Sequence, residues 1–145
     1  STGLDPVVRR DILNAIVRTV ADEGRTVLFS SHLLDEVEQM SDQVIMINAG
    51  RVVLQGDLDT IRQQHQRLVV RFSSPREALP RIDGVLSAER QHDHWVLVCG
   101  EPTDQLQAVL TAAGGDIIQV RCASLQETFI ARAGRKSESS PEVTA

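Results

Sequence analysis

The sequence predicts an incomplete α/β unit over residues 1–64 and an α+β unit over residues 65–133. The second has the ferredoxin-like element order β-α-β-β-α-β, and a disordered tail is expected over 134–145. Three observations carry this reading. Thr26-Val27-Leu28-Phe29-Ser30 follows a long amphipathic helix pattern and is apolar on both faces, the mark of a buried strand in an α/β sheet. From Leu68 onward, short strand patterns and helical patterns alternate in a different order. The core is aliphatic, because three Phe, one Trp and no Tyr among 145 residues leave Val, Ile, Leu and Ala to fill it.

Asp5-Pro6 starts the first helix: Asp accepts from the orphan amides, and Pro at the first helical position loses no bond. Val8, Ile12, Ile16 and Val20, flanked by Leu13 and Val17, form one apolar face, and Gly24 ends it. After the expected strand at 26–30 come Ser31-His32 and a short helix with Leu33, Leu34, Val37 and Met40 at helical spacing. Val44 to Ile47 and Val52 to Leu54 read as a hairpin closed by the loop Asn48-Ala49-Gly50, and Gly56-Asp57 opens a helix to about Gln64. The second unit begins with a strand at Leu68 to Phe72 and a helical turn from Pro75 to Leu79. Strands follow at Val85 to Arg90 and Trp95 to Val98, with a tight turn at His92-Asp93. Pro102 opens a helix with Leu106, Val109 and Leu110, closed by Gly114-Gly115; a strand at Ile117 to Val120 and a helix at Leu125 to Ala131 end the unit.

Composition removes several function classes. Fifteen basic against twenty acidic residues give a net charge of −5, which argues against a nucleic-acid partner needing a cationic footprint. No apolar run approaches the roughly 18 residues that span a bilayer, and the first residues do not resemble a signal peptide. Cys99 and Cys122 are far apart and form no CxxC pair; both read as buried small hydrophobes in a reduced, cytosolic chain. His92-Asp93-His94 reads as a polar turn rather than a metal site, and Trp95 as a half-buried strand residue that could cover a pocket. No metal site is expected.

The chain contains no G-x-x-x-x-G-K-[ST], G-x-S-x-G, H-E-x-x-H or G-x-G-x-x-G, so no complete active site is legible by motif. His32 stands out because it follows an expected strand end, where open α/β sheets bind ligands. An imidazole there can donate to an anionic oxygen. It can equally cap or pack beside the helix that follows.

Ser1-Thr2-Gly3-Leu4-Asp5-Pro6, a helix, and then Thr26 through His32 resemble the nucleotide-binding subunit of ABC transporters. The opening resembles that family's D-loop, His32 its switch-loop (H-loop) histidine, and Leu33 to Val37, Ser41 to Ile47 and Gly50 to Gly56 continue the likeness without a gap to about residue 62. The resemblance implies the C-terminal part of an ABC ATPase domain, with Walker A, Q-loop, signature and Walker B before Ser1. It implies that His32 contacts the γ-phosphate of ATP and that Thr2, Gly3, Leu4 and Asp5 cross a dimer interface. Asp5 is also, on its residues alone, a good helix start.

By the same resemblance, ATP and Mg2+ are the full-length cofactors, while the 145 residues alone hold neither and are inactive. The partners are a transmembrane permease and a second ATP-binding subunit, at the inner face of the cell membrane. Residues 67–133 resemble an extra domain of drug- and multidrug-export ABC subunits, and Ser124 to Phe129 resembles their closing S-L-E-E-x-F run. A rival reading makes this second domain a non-catalytic regulatory, ligand-binding or dimerisation module.

Overall fold

A computed structural model of the chain describes residues 3, 5–100 and 104–134. It divides into two compact units, Ser1–Ser41 and Asp42–Ala145, whereas the sequence places the change of pattern near residue 64.

In the first unit, α1 (Pro6–Asp22) starts as its residues dictate. The Asp5 carboxylate accepts from the Val7 amide at 2.8 Å, and Pro6 occupies the first turn. Gly24 leaves the helix with φ +69°, a conformation that costs glycine little. The apolar face is only partly covered: Leu13, Val17 and Val20 are half-buried, α1 has no buried residue, and Val8, Ile12 and Ile16 are 45–47% exposed. The expected strand at 26–30 does not form, and Leu28 is 94% exposed. A strand is made by its neighbours' backbone groups, and none of the described strands pairs with this run. The short helix α2 (Leu34–Met40) follows.

The second unit opens with the hairpin β1 (Gln43–Asn48) and β2 (Arg51–Asp57). Its connection is tighter than the three-residue loop expected from sequence: Asn48 pairs with Arg51, so Ala49 and Gly50 alone make the turn, with φ of +48° and +72°. Two left-handed residues match the twist of the flanking strands. Val44 and Met46 are buried while Ile45 and Ile47 are exposed, the alternation of a one-sided sheet. Asp57 caps α3 (Leu58–Gln64), whose Leu58 and Ile61 are buried.

Four further strands, β3 (His65–Phe72), β4 (Val85–Gln91), β5 (His94–Gly100) and β6 (Gly115–Cys122), form an antiparallel sheet in the order β4-β5-β3-β6. Between β5 and β6 lies α4 (Asp104–Ala112), and α5 (Leu125–Gly134) follows β6. Of the tail expected over 134–145, Gly134 is the last residue of α5, while residues 135–145 lie outside the described residues, as does Pro102. On one side of the sheet, Leu68, Val70, Trp95, Leu97 and Cys99 pack with Leu106 and Leu110 of α4. Across it, Val98 and Leu86 pack with Ala123 and with Ala131 of α5.

Three sequence readings need correction here. No helical turn forms at Pro75 to Leu79; the segment from 73 to 84 is irregular. Pro75 and Pro80 each disfavour helical backbone at the preceding residue and each lack an amide donor, which leaves too little chain for a turn. Leu79 and Ile82 nevertheless pack on the α4-side core, so an irregular segment covers that part of the sheet. Cys99 is buried as read, but Cys122 is exposed, because β6 is an edge strand whose outer positions have no cover. Trp95 is more deeply placed than expected, at 9% exposure.

Candidate functional site

His32 lies in a bend between the segment at 26–31 and α2, and its side chain is exposed. The adjoining backbone is held locally, since the Leu33 amide donates to Ser31 Oγ at 3.0 Å. That contact and the Leu33 carbonyl, which receives the Glu36 and Val37 amides, start α2 without help from the imidazole. The capping alternative for His32 therefore has no hydrogen bond behind it. Its ring is left available to a ligand.

Asp5 is placed at the head of α1, with one carboxylate oxygen engaged by the Val7 amide. Thr2 and Leu4 lie outside the described residues, and Gly3 is exposed with open space around its α-carbon. An ion pair brings the starts of the two helices together: Arg9, one turn into α1, reaches Glu36, in the first turn of α2, at 3.7 Å. That distance is too long for a hydrogen bond, and the buried Glu36 Oε2 has no hydrogen-bond partner. The charges are paired, but the carboxylate is not fully satisfied. The contact joins the first turns of the two helices, about one turn beyond Asp5 and about one turn beyond His32.

Other polar chemistry lies in the second unit. His65, at the start of β3, is fully buried and has both ring nitrogens engaged. Nδ1 donates to the Ile61 carbonyl at 2.7 Å, which leaves Nε2 as an acceptor for Arg132 Nε at 3.1 Å and Nη2 at 2.9 Å. Burial lowers its pKa, the Ile61 bond opposes that shift, and the Arg132 charge adds to it. The imidazole is thus a neutral clamp between β3 and α5. Sequence reasoning missed it because 67 residues separate its partners.

The run from Ser124 has a structural explanation. Ser124 Oγ accepts from the Glu127 amide at 3.1 Å, and Glu127 Oε2 accepts from the Ser124 amide at 2.9 Å, a reciprocal capping box for α5. Glu127 also takes both guanidinium nitrogens of Arg121 at 2.7 and 2.9 Å, and Arg67 Nε lies 3.3 Å away. These contacts, led by the Arg121 hydrogen bond, hold the Glu127 carboxyl below its usual pKa. Cys99 has no place in acid–base or nucleophilic chemistry, since burial pushes its thiol up to about 12. His92 and Asp93 make the β4–β5 turn, and among the described residues no group of three or more His, Cys, Asp or Glu could hold a metal ion.

No family model matches the chain. Curated relatives do. The Nod factor export ATP-binding protein I of Mesorhizobium japonicum is 26% identical over 148 residues, covering 95% of this chain and 41% of the relative. The chain is homologous to ABC transporter ATP-binding proteins. The daunorubicin/doxorubicin resistance ATP-binding protein DrrA of Streptomyces peucetius is 33% identical over 90 residues, covering 61% of this chain and 27% of the relative. The methionine import ATP-binding protein MetN of Cupriavidus pinatubonensis is 28% identical over 113 residues, covering 72% and 33%. Export and import proteins both occur among these ABC relatives, so their names carry the family and not a direction of transport. The chain spans between about a quarter and two fifths of the length of these relatives. No helix of the described residues is long and apolar enough to cross a membrane.

Proposed function

We propose that this chain is the C-terminal part of an ABC transporter ATP-binding subunit that, in full length, couples ATP binding and hydrolysis to export. The observation that carries the reading is the exposed, uncommitted His32 at the start of α2, inside a stretch homologous to ABC ATP-binding proteins. In this reading His32 donates to the γ-phosphate and helps position the attacking water. Thr2, Gly3, Leu4 and Asp5 form the D-loop at the interface with a second ATP-binding subunit. The Asp5 cap and the Arg9–Glu36 pair support such a role, since Asp5 heads α1 and the pair joins the first turns of α1 and α2.

ATP with Mg2+ would supply the phosphoryl group to be cleaved. The 145 residues contribute a histidine to that group but no glycine-rich cradle for its phosphates, so by themselves they neither hold MgATP tightly nor turn it over. The partners are a transmembrane permease and a second subunit, with the protein peripheral at the inner face of the membrane. We further read residues 65–133 as an appended ferredoxin-like domain. Its β4-β5-β3-β6 order and antiparallel pairing support this, with the irregular 73–84 segment standing where the first helix would be.

The test is MgATP turnover by this chain and by a longer polypeptide that carries its upstream coding sequence. Turnover is expected only in the longer form, with His32→Ala reducing it by about 10²-fold or more, the scale of losing a contact made to transition-state charge. Turnover by the 145 residues alone overturns the proposal. So does a longer form that is inert, or one that keeps its rate without His32.

A further inference from the structure

At the end of the four-stranded sheet where β3 leaves and β4 turns into β5, a pocket of about 290 Å³ opens on the surface. Trp95 and Phe72 are among its lining residues, with the Arg76 guanidinium 5.0 Å from the Phe72 ring centroid. Arg76 is held in that position by donating to the Ala113 carbonyl at 2.8 Å. Arg71 stands at the rim, paired with Asp93 at 3.1 Å. The guanidinium of Arg90, which lies beside Trp95 in the β4–β5 register, has no hydrogen-bond or ion-pair partner among the described residues. Three arginines against one carboxylate give this pocket a local excess of positive charge in a chain whose net charge is −5.

We propose that this pocket binds a small planar organic anion of the aromatic carboxylate class, its charge taken by Arg90 and its ring by the Phe72 and Trp95 part of the lining. The chemistry of the lining selects this class. Guanidinium forks match carboxylate geometry, and aromatic walls favour a flat apolar body. A cavity of about 150 Å³ already admits benzene, so the volume here suffices for a ring and its substituent. The Arg76–Phe72 stack presents a preformed face, which lowers the ordering cost of binding. The site lies wholly in the second unit and does not depend on nucleotide, so it stands or falls separately from the ATPase reading.

Trp95 is the chain's only tryptophan, and there is no tyrosine, so its fluorescence reports on this pocket without labelling. At low ionic strength, benzoate is expected to change that emission saturably, while the neutral benzyl alcohol does not. Inorganic sulfate is expected to compete only weakly. Arg90→Ala should weaken benzoate roughly tenfold, the effect of losing one charge-assisted hydrogen bond, and Arg90→Lys should restore part of it. Arg90 is exposed, and an unchanged urea midpoint verifies the fold of both variants. A linear, unsaturable response overturns the proposal, as does equal benzoate affinity in Arg90→Ala. Benzyl alcohol binding as tightly as benzoate, or sulfate displacing it at equal concentration, also refutes it, because then either the charge or the ring contributes nothing.

Discussion

The helix α1 and the strands β3 and β5 each carry an apolar face, yet those faces end in opposite situations. Leu68, Val70, Leu97 and Cys99 are at or below 1% exposure, while no residue of α1 is buried. The difference lies in what each segment has to lie against. β3 has β5 and β6 as hydrogen-bonded neighbours and helices across both faces, whereas α1 shares its unit with one short helix and an unpaired run. An amphipathic pattern states which face wants cover. It does not supply the cover.

The largest expected effect separates the two regions directly. Leu97→Ala, at a site with no exposed surface, should cost about 2–5 kcal/mol through lost transfer and cavity formation. Ile12→Ala, at 45% exposure, should stay within about 0.5 kcal/mol in the same chain. Urea unfolding of both variants checks this. A cost for Ile12 comparable to that of Leu97 would mean that α1 is covered in solution and that the contrast is false.

A smaller effect compares the helix caps. Glu127→Ala removes the α5 capping box and the Arg121 fork together, and should lower the stability of the second unit by about 1–2 kcal/mol. Asp5→Ala removes a single exposed cap from a helix with no buried residue, so it should reduce helical circular dichroism by about one turn or less and leave the main unfolding midpoint in place. A shift of that midpoint with Asp5→Ala would show that the first unit unfolds cooperatively with the second.

The smallest effect at neutral pH grows with acid. The folded-state pKa of His65 lies below its ordinary value of 6.5, so the unfolded chain binds the proton more readily. Stability from the neutral clamp is therefore fully present above about pH 6.5 and lost as pH falls from there toward the folded pKa. Protonation also sets a second positive charge against Arg132. His65→Gln should flatten the decline in urea midpoint over that window. An unchanged pH profile in the variant would assign the acid sensitivity to other groups.

Much of the element order was legible, because it rests on local chemistry. Asp5-Pro6 and Asp57 start helices through contacts within three residues, and His92-Asp93 turns a strand back on itself. His32 could be singled out for a similar reason, since it stands in a continuous run of residues that resembles one family. The failures are non-local. Thr26–Ser30 has a strand's composition and no strand partner, Cys122 has a core residue's type on an uncovered edge, and the two prolines at 75 and 80 outweigh the helical pattern between them.

The sequence by itself determined where helices and turns begin, which residues could form an aliphatic core, and the resemblance to ABC ATP-binding subunits. Only the tertiary structure decided that β3 sits between β5 and β6, and that His65 meets Arg132 across 67 residues. It also decided that Arg71, Arg76 and Arg90 converge around Trp95. The physical reason is range. Caps, turns and periodicity are set by neighbours a few bonds away, whereas burial, sheet order and the meeting of distant charges depend on which surfaces the folded chain brings together.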